Sequence, residues 1–269
     1  MIKIEKLYIY PVKSLAGIEV NASKLTGFGL EHDRRCVIID EDNNFLSQRS
    51  LPEMATIKTS FKKDQLVLTH EDSSITVPSF YEYGSIKSVK IWNDKAQAKH
   101  LSLSVDKWLS TILKQKCHLV YMQETVRRQV DTNFAPIGQL VSFADAFPIL
   151  ITSLASHQEL NKRLNDDISI NRFRPNIVIS GVKPFGEDDL GEFTINNIHF
   201  KAVKKCSRCI MPTINQKTGA KDKAKILSEL NKFRKIDGKV MFGQNIIFNF
   251  LDLYHNDKLS CGDEILLVN

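Results

Sequence analysis

The 269-residue sequence has no run of apolar residues approaching the ~20 that a membrane-crossing helix requires. Cysteine is sparse and odd in number, five in all: Cys36, Cys117, Cys206, Cys209 and Cys261. Only Cys206 and Cys209 lie close together, so a disulfide framework is excluded and a reduced, cytosolic setting is expected. The Met1-Ile2-Lys3-Ile4 start shows neither a signal-peptide core nor transit-peptide character, which points the same way, to a cytoplasmic location. Also missing are G-x-G-x-x-G after a strand, G-x-x-x-x-G-K-[ST] and H-E-x-x-H, so the common dinucleotide, nucleoside triphosphate and zinc-protease sites are not expected. Thirty-seven basic residues against 31 acidic ones leave a net charge of +6. That excess is too small and too scattered for a nucleic-acid surface, but it suits a small anionic ligand such as a phosphate. The sequence contains no internal repeat, low-complexity tract or long linker.

What is present is mostly strand. Ile2 to Tyr10 stops at Pro11; Arg35 to Ile39 runs into the turn-forming Asp40–Asn44; Gln65 to His70, Ile75 to Val77 and Ile86 to Trp92 continue the pattern. The period then changes. Val105, Trp108, Leu109, Ile112 and Leu113 form one apolar helical stripe. After a strand at His118 to Met122, the polar stretch Gln123 to Thr132 is the best candidate junction, dividing the chain into 1–122 and 123–269. Ser156 with Glu159 reads as a capping box that starts a helix. Ile177 to Ser180 is a strand. Phe193-Thr194-Ile195 and Ile198-His199-Phe200 flank Asn196-Asn197 as a tight hairpin, because asparagine tolerates positive φ. Asn245 to Phe250 and Glu264 to Val268 close the chain, with Gly262-Asp263 at the turn between. The fold class is α+β and β-rich, partly barrel-like, without regular βαβ alternation.

Chemistry concentrates at Lys204-Lys205-Cys206-Ser207-Arg208-Cys209, read as following the hairpin strand. Structural zinc would need a second cysteine or histidine pair. A thioredoxin-like dithiol would need a following helix, against which Pro212 argues. Two buried structural cysteines remain the bland alternative. Against that stands the local charge, since positive neighbours favour the thiolate that a soft metal wants. A second, basic set comprises Lys13 and Ser14, then Asp33-Arg34, then Asn171-Arg172-Phe173-Arg174-Pro175-Asn176. Each member lies at a strand end or loop, where cations and backbone N–H groups can converge on a phosphate. Pro175 is expected to stiffen the chain and orient Arg174.

In their order along the chain these pieces resemble the MOSC proteins, the two-part kind that includes the mitochondrial amidoxime-reducing component and bacterial reductases of N-hydroxylated bases. The resemblance rests on Tyr10-Pro11-Val12-Lys13-Ser14 with Gly17, Gly29-Leu30 with Asp33-Arg34, and Phe143-Ala144-Asp145. It continues through the Arg172–Asn176 run, Cys206–Cys209, Thr218-Gly219 and Phe242-Gly243-Gln244-Asn245. It implies a MOSC-type β-barrel domain with flanking helices and an N-terminal β-rich domain. It further implies a molybdenum–molybdopterin cofactor, with Cys209 as the metal ligand and catalytic residue. Lys13, Ser14, Arg34, Arg172, Arg174, Ser207, Arg208 and Asn245 would bind the cofactor, Arg174 at the pterin phosphate, while Cys206 would be structural. The implied activity is reduction of small N-hydroxylated substrates: hydroxylaminopurines, hydroxamic acids or amidoximes. Lacking a four-cysteine cluster pattern, the chain would draw electrons from a separate ferredoxin-, flavodoxin- or cytochrome b5-like protein with its reductase. Neither nucleic acid nor membrane is an expected partner. A cofactor carrier or sulfur relay without reductase activity is the other reading. Leu190 and Asn215 depart from the family pattern, near the expected mouth of the site, and bear on substrate range.

Overall fold

A computed structural model describes residues 1–80, 84–222, 225–249 and 257–268. The Asn196-Asn197 pair shows how the chain builds its sheets. Both residues take positive φ, 49° and 67°, and so turn the Glu192–Ile195 strand tightly onto Ile198–Ser207. That hairpin belongs to a closed seven-stranded barrel. Round its wall run the strands Ile2–Ile9, Ile177–Ser180, Ile149–Ser153, Lys239–Phe248, Ile198–Ser207, Glu192–Ile195 and Glu264–Leu267, which returns to the first. All neighbours are antiparallel except Ile149–Ser153 with Ile177–Ser180. Closure pairs the two ends of this sheet with each other. Gly243 permits it: at φ +79° a Cβ there would sit 2.7 Å from the Thr152 side chain and 2.8 Å from the Ile151 carbonyl. The N-terminal strand is thus built into the same barrel as strands that follow residue 149.

Alternating inward residues fill the barrel, among them Ile4, Leu7, Ile151, Ile179, Phe193, Phe200 and Ile246, all essentially buried. Each such side chain contributes about 1.5–3 kcal/mol on leaving water. Leu190 is part of this core, at 3% exposure. It therefore does not stand at the mouth of a site, as the sequence comparison had placed it.

A second sheet orders Cys36–Ile39, His118–Tyr121, Asp94–His100 and Ile86–Ile91. Helix α1, Leu103–Leu113, covers it with the stripe read from the sequence, Val105, Leu109 and Leu113, packed with Ile38 and Leu119. Smaller three-stranded sheets lie at Lys58–Lys62 with Gln65–His70 and Ser73–Thr76, and at Lys258–Ser260 with Ala22–Thr26 and Gly29–Leu30. Helices α2, Leu154–Leu164, and α3, Lys225–Phe233, pack Leu160, Ile226 and Leu230 near Tyr8, Tyr10, Phe173 and Phe242.

Two local expectations are corrected. The α2 cap is Ser153, whose Oγ accepts the Ser156 N–H at 3.1 Å. Ser156 is already inside the helix and donates its hydroxyl to buried Glu187 at 2.6 Å, while Glu159 pairs with Arg163. The strand preceding the cysteines does not stop before them: it runs through Lys204, Lys205 and Cys206 to Ser207. The last part of the expected Asn245–Phe250 strand, Phe250, lies outside the described residues; the strand itself spans Lys239–Phe248.

Candidate functional site

Loops that are distant in sequence meet around a cavity of about 740 Å³. Its walls come from Lys13 and Ser14 after the first strand, Arg34, the Phe45–Arg49 loop, Trp92, the 144–147 segment, Arg174, and the Lys204–Cys209 stretch. Three of these residues, Ser14 (φ 68°), Arg34 (φ 49°) and Arg174 (φ 54°), hold left-handed backbone without being glycine. Such conformations cost free energy and persist where the surroundings enforce them, commonly at binding sites. Arg174 is followed by proline, which normally drives the preceding residue to an extended shape. Here the turn is instead left-handed, closing the short helical turn Ile170–Phe173.

The cationic wall is assembled on Tyr10. The guanidinium of Arg34 lies 4.4 Å from its ring centroid and that of Arg174 4.2 Å. The Tyr10 hydroxyl donates to the Pro175 carbonyl at 3.0 Å, and its N–H donates to Asp33 Oδ1 at 2.9 Å. Arg34 then donates to Asp33 Oδ2 at 2.7 Å, Asn176 Oδ1 at 2.9 Å and the Arg174 carbonyl at 3.1 Å. Burial alone would lower the Arg34 pKa, but Asp33, with Tyr10 and Asp145, more than offsets it, and the group is held above its ordinary value. Arg174 has no direct ion pair with Asp33, and the more distant carboxylates help it less. Burial, and then the neighbouring Arg34, push it down to about 10.

Arg174 donates from Nη1 to the Leu15 carbonyl at 2.7 Å, while its buried Nη2 has no partner among the described residues. Arg208 donates to the Phe173 carbonyl at 2.7 Å and to Cys206 Sγ at 3.0 Å, and its buried Nε is likewise unpartnered. Among the described residues neither guanidinium has a carboxylate within ion-pair distance. A buried and a half-buried cation, each with a buried donor to spare, are costly unless an anion completes them.

Cys209, exposed to solvent, lines the same cavity. Arg49 donates from Nε to its Sγ at 3.3 Å. The Arg49 guanidinium also lies 4.3 Å from the Trp92 ring centroid and reaches Asp145 Oδ2 at 3.3 Å. Asp145 gathers the rest: the Trp92 indole N–H donates to it at 3.2 Å, and buried Lys13 pairs with it while donating to the Phe143 carbonyl at 2.8 Å. Burial would raise the Asp145 pKa, yet Lys13 and then Arg49 hold it well below the usual carboxylate range. Burial lowers Lys13, with Asp145 opposing.

Of the residues singled out in the sequence, Lys13, Ser14, Arg34, Arg174, Ser207, Arg208, Cys209 and Asn245 all line this cavity. Arg172 does not. Its guanidinium turns to Asp222 and the Pro212 carbonyl. Nor are Lys204 and Lys205 the cations at the thiol: Lys204 lies over Phe134 at 4.0 Å, and Lys205 pairs with Asp188 at 2.7 Å. Among the described residues the cation hydrogen-bonded to Cys209 is Arg49, which sits in a Gln48-Arg49-Ser50 loop with no sequence motif to mark it. Asn215 turns its side chain back onto the Lys217 N–H rather than into the cavity. Cys206 is half-buried beside Arg208.

An accessible thiol and unneutralised guanidinium groups line one cavity, donor types that suit an anionic ligand beside a soft metal. The thiol supplies the sulfur that such a metal takes, and the orphaned Arg174 and Arg208 nitrogens supply donors for a phosphate, so these residues fit a metal–pterin cofactor. Comparison with known proteins identifies the family. Residues 1–116 match the MOSC N-terminal beta barrel domain and residues 138–266 the MOSC domain. The chain is 30% identical to mitochondrial amidoxime-reducing component 1 of Mus musculus, over 98% of this chain and 82% of that protein. The Homo sapiens counterpart is 28% identical over the same shares. Molybdenum cofactor sulfurase of Arabidopsis thaliana is 28% identical over 97% of this chain, which spans 35% of that longer protein. Among solved structures, the YUAD protein of Bacillus subtilis aligns over 98% of this chain and 94% of that one, with TM-score 0.42 and 13% identity. The chain belongs to the MOSC family, in the two-part arrangement of an N-terminal and a MOSC domain.

Proposed function

We propose that this protein is a molybdenum-cofactor-dependent reductase of N-hydroxylated compounds. The observation that carries the reading is the exposed Cys209 sulfur in one cavity with the unneutralised guanidinium groups of Arg174 and Arg208. The relatives named as amidoxime-reducing components direct the choice of reaction. In that reaction an N-hydroxyl group, two electrons and two protons give the amine and water. The bound molybdenum centre supplies the two-electron exchange; the protein supplies its ligand, position and access. Cys209 donates the protein sulfur. Arg34, Arg174 and Arg208, with Lys13, Ser14, Ser207 and Asn245, hold the molybdopterin and its phosphate. Asp145, kept ionised by Lys13 and Arg49, serves as a fixed negative anchor beside the thiol and not as a proton donor.

Electrons come from a separate ferredoxin-, flavodoxin- or cytochrome b5-like protein, and the enzyme works in the cytoplasm. No helix among the described residues is long and apolar enough to cross a membrane. The chain divides functionally at 122/123, although the first strand is shared with the barrel. The test is turnover of a hydroxylaminopurine with an artificial reductant: cofactor-loaded protein reduces it and Cys209→Ala does not. Full activity in loaded Cys209→Ala removes the assignment. The likeness to a molybdenum cofactor sulfurase keeps a carrier or sulfur-relay role as the second reading. Loaded protein that turns over no N-hydroxylated substrate favours it.

A further inference from the structure

Away from the cavity, three side chains from three elements converge on the second sheet. His100 ends the Asp94–His100 strand, His118 begins His118–Tyr121, and Asp106 lies in the first turn of α1. The antiparallel ladder places His100 opposite Val120, so His118 is its diagonal neighbour on the same face. Helix α1 packs against this sheet and delivers the carboxylate. Asp106 Oδ2 lies 2.7 Å from His100 Nε2 and 2.7 Å from His118 Nδ1, the two rings edge to face. The other oxygen, Oδ1, accepts the Leu119 N–H at 2.9 Å, which fixes the carboxylate plane. Asp106 is buried, at 5% exposure, whereas His118 keeps part of its surface open. One ligand atom from each residue lies within 4.8 Å of the other two.

We propose that His100, Asp106 and His118 form a binding site for a divalent transition metal of the zinc class, separate from the cofactor cavity. Two neutral imidazoles and one carboxylate are the nitrogen and oxygen donors such an ion prefers, and three protein ligands leave a fourth position for water on the His118 side. Bonds of about 2.0–2.1 Å set tetrahedral ligand atoms roughly 3.3 Å apart. The nitrogens need then retreat from Oδ2 by about 0.6 Å and settle at a similar separation from each other, starting from within 4.8 Å. The Leu119 N–H provides the outer hydrogen bond that orients a ligating carboxylate. Coordination would replace the two hydrogen bonds to Oδ2, each neutral ring carrying its proton on the other nitrogen, and would tie α1 to both strands. None of the three residues takes part in the cavity, so the proposal stands or falls independently of the reductase reading.

The test titrates the full-length protein with cobalt(II), followed by visible absorption, and with zinc(II), followed by calorimetry. The expected result is one saturable site whose cobalt spectrum has tetrahedral d–d bands without sulfur-to-metal charge transfer. Outer-shell losses alone weaken such sites about 10–100-fold. His118→Gln, at a partly exposed position that leaves the fold intact, is therefore expected to weaken binding by more than about 100-fold. Zinc(II) should also raise the Tm of the wild type but not of His118→Gln, while magnesium(II) should move neither. Absence of saturable binding overturns the proposal. So does a spectrum dominated by thiolate charge transfer, or binding that His118→Gln leaves unchanged.

Discussion

Arg49 Nε donates a hydrogen bond to Cys209 Sγ at 3.3 Å across 160 positions of sequence. The contact joins a loop of the N-terminal part to the end of a barrel strand, so the cavity is complete only when both halves of the chain are folded. It also places a fixed cation at the sulfur assigned to the metal, with Asp145 and Trp92 holding that cation in turn.

Arg174→Lys keeps the charge but loses the planar fork and the stack on Tyr10. Hydrogen bonds to charged groups contribute about 1.5–3 kcal/mol. Cofactor affinity is expected to fall about 10- to 100-fold, read as pterin fluorescence retained after gel filtration. Undiminished retention would remove Arg174 from the phosphate site.

Arg172→Gln should behave oppositely. Its ion pair with Asp222 ties the turn at Ile170–Phe173 to a neighbouring loop, outside the cavity. Asp222 is 38% exposed, so screening leaves a cost of only about 1–2 kcal/mol, well short of a fully buried pair. Chemical denaturation is expected to register this loss while cofactor content stays at the wild-type level. A drop in cofactor content without a loss of stability would return Arg172 to the binding set.

Asp145 gives the fold a defined acid limb. Its folded pKa lies below its unfolded value, so its contribution is fully present above the unfolded carboxylate pKa of about 4. That contribution is lost as pH falls from there through the folded value. Asp145→Asn should therefore be less stable than wild type at neutral pH, the difference shrinking continuously below about pH 4. A stability gap that stays constant down the acid limb would contradict the ion-pair assignment.

Gly17→Ala is expected to damage the site from behind. A Cβ at Gly17 would lie 2.4 Å from Tyr10 Cε1, and Tyr10, at 1% exposure, has nowhere to move. Overpacking of this kind costs about 1–3 kcal/mol. Because Arg34 and Arg174 both rest on that ring, cofactor retention should fall together with thermal stability. Retention without loss would show that the cationic wall does not depend on Tyr10.

What was legible in the sequence was local. Asn196-Asn197 specifies its turn because both residues accept positive φ, and the Val105–Leu113 stripe specifies α1 because its period admits only one buried face. The cavity residues were legible singly as candidate anion and thiol groups, but as one site only through the resemblance. Lys13, Arg34 and Arg174 are isolated surface-type residues until the barrel brings them together. The cysteine segment misled on charge: a strand that continues to Ser207, with irregular register near Lys204 and Lys205, sends those side chains to Phe134 and Asp188. Arg49 left no signal, because its partners Trp92, Asp145 and Cys209 are each remote along the chain. The same holds for the α2 cap, where Ser153 and Ser156 compete and buried Glu187 draws the Ser156 hydroxyl inward.

X-ray absorption at the molybdenum edge, on cofactor-loaded wild type and Cys209→Ala, tests the central assignment most directly. The variant is expected to show one sulfur neighbour fewer at the metal than the wild type. An unchanged sulfur shell would place the metal on some other ligand and contradict the account.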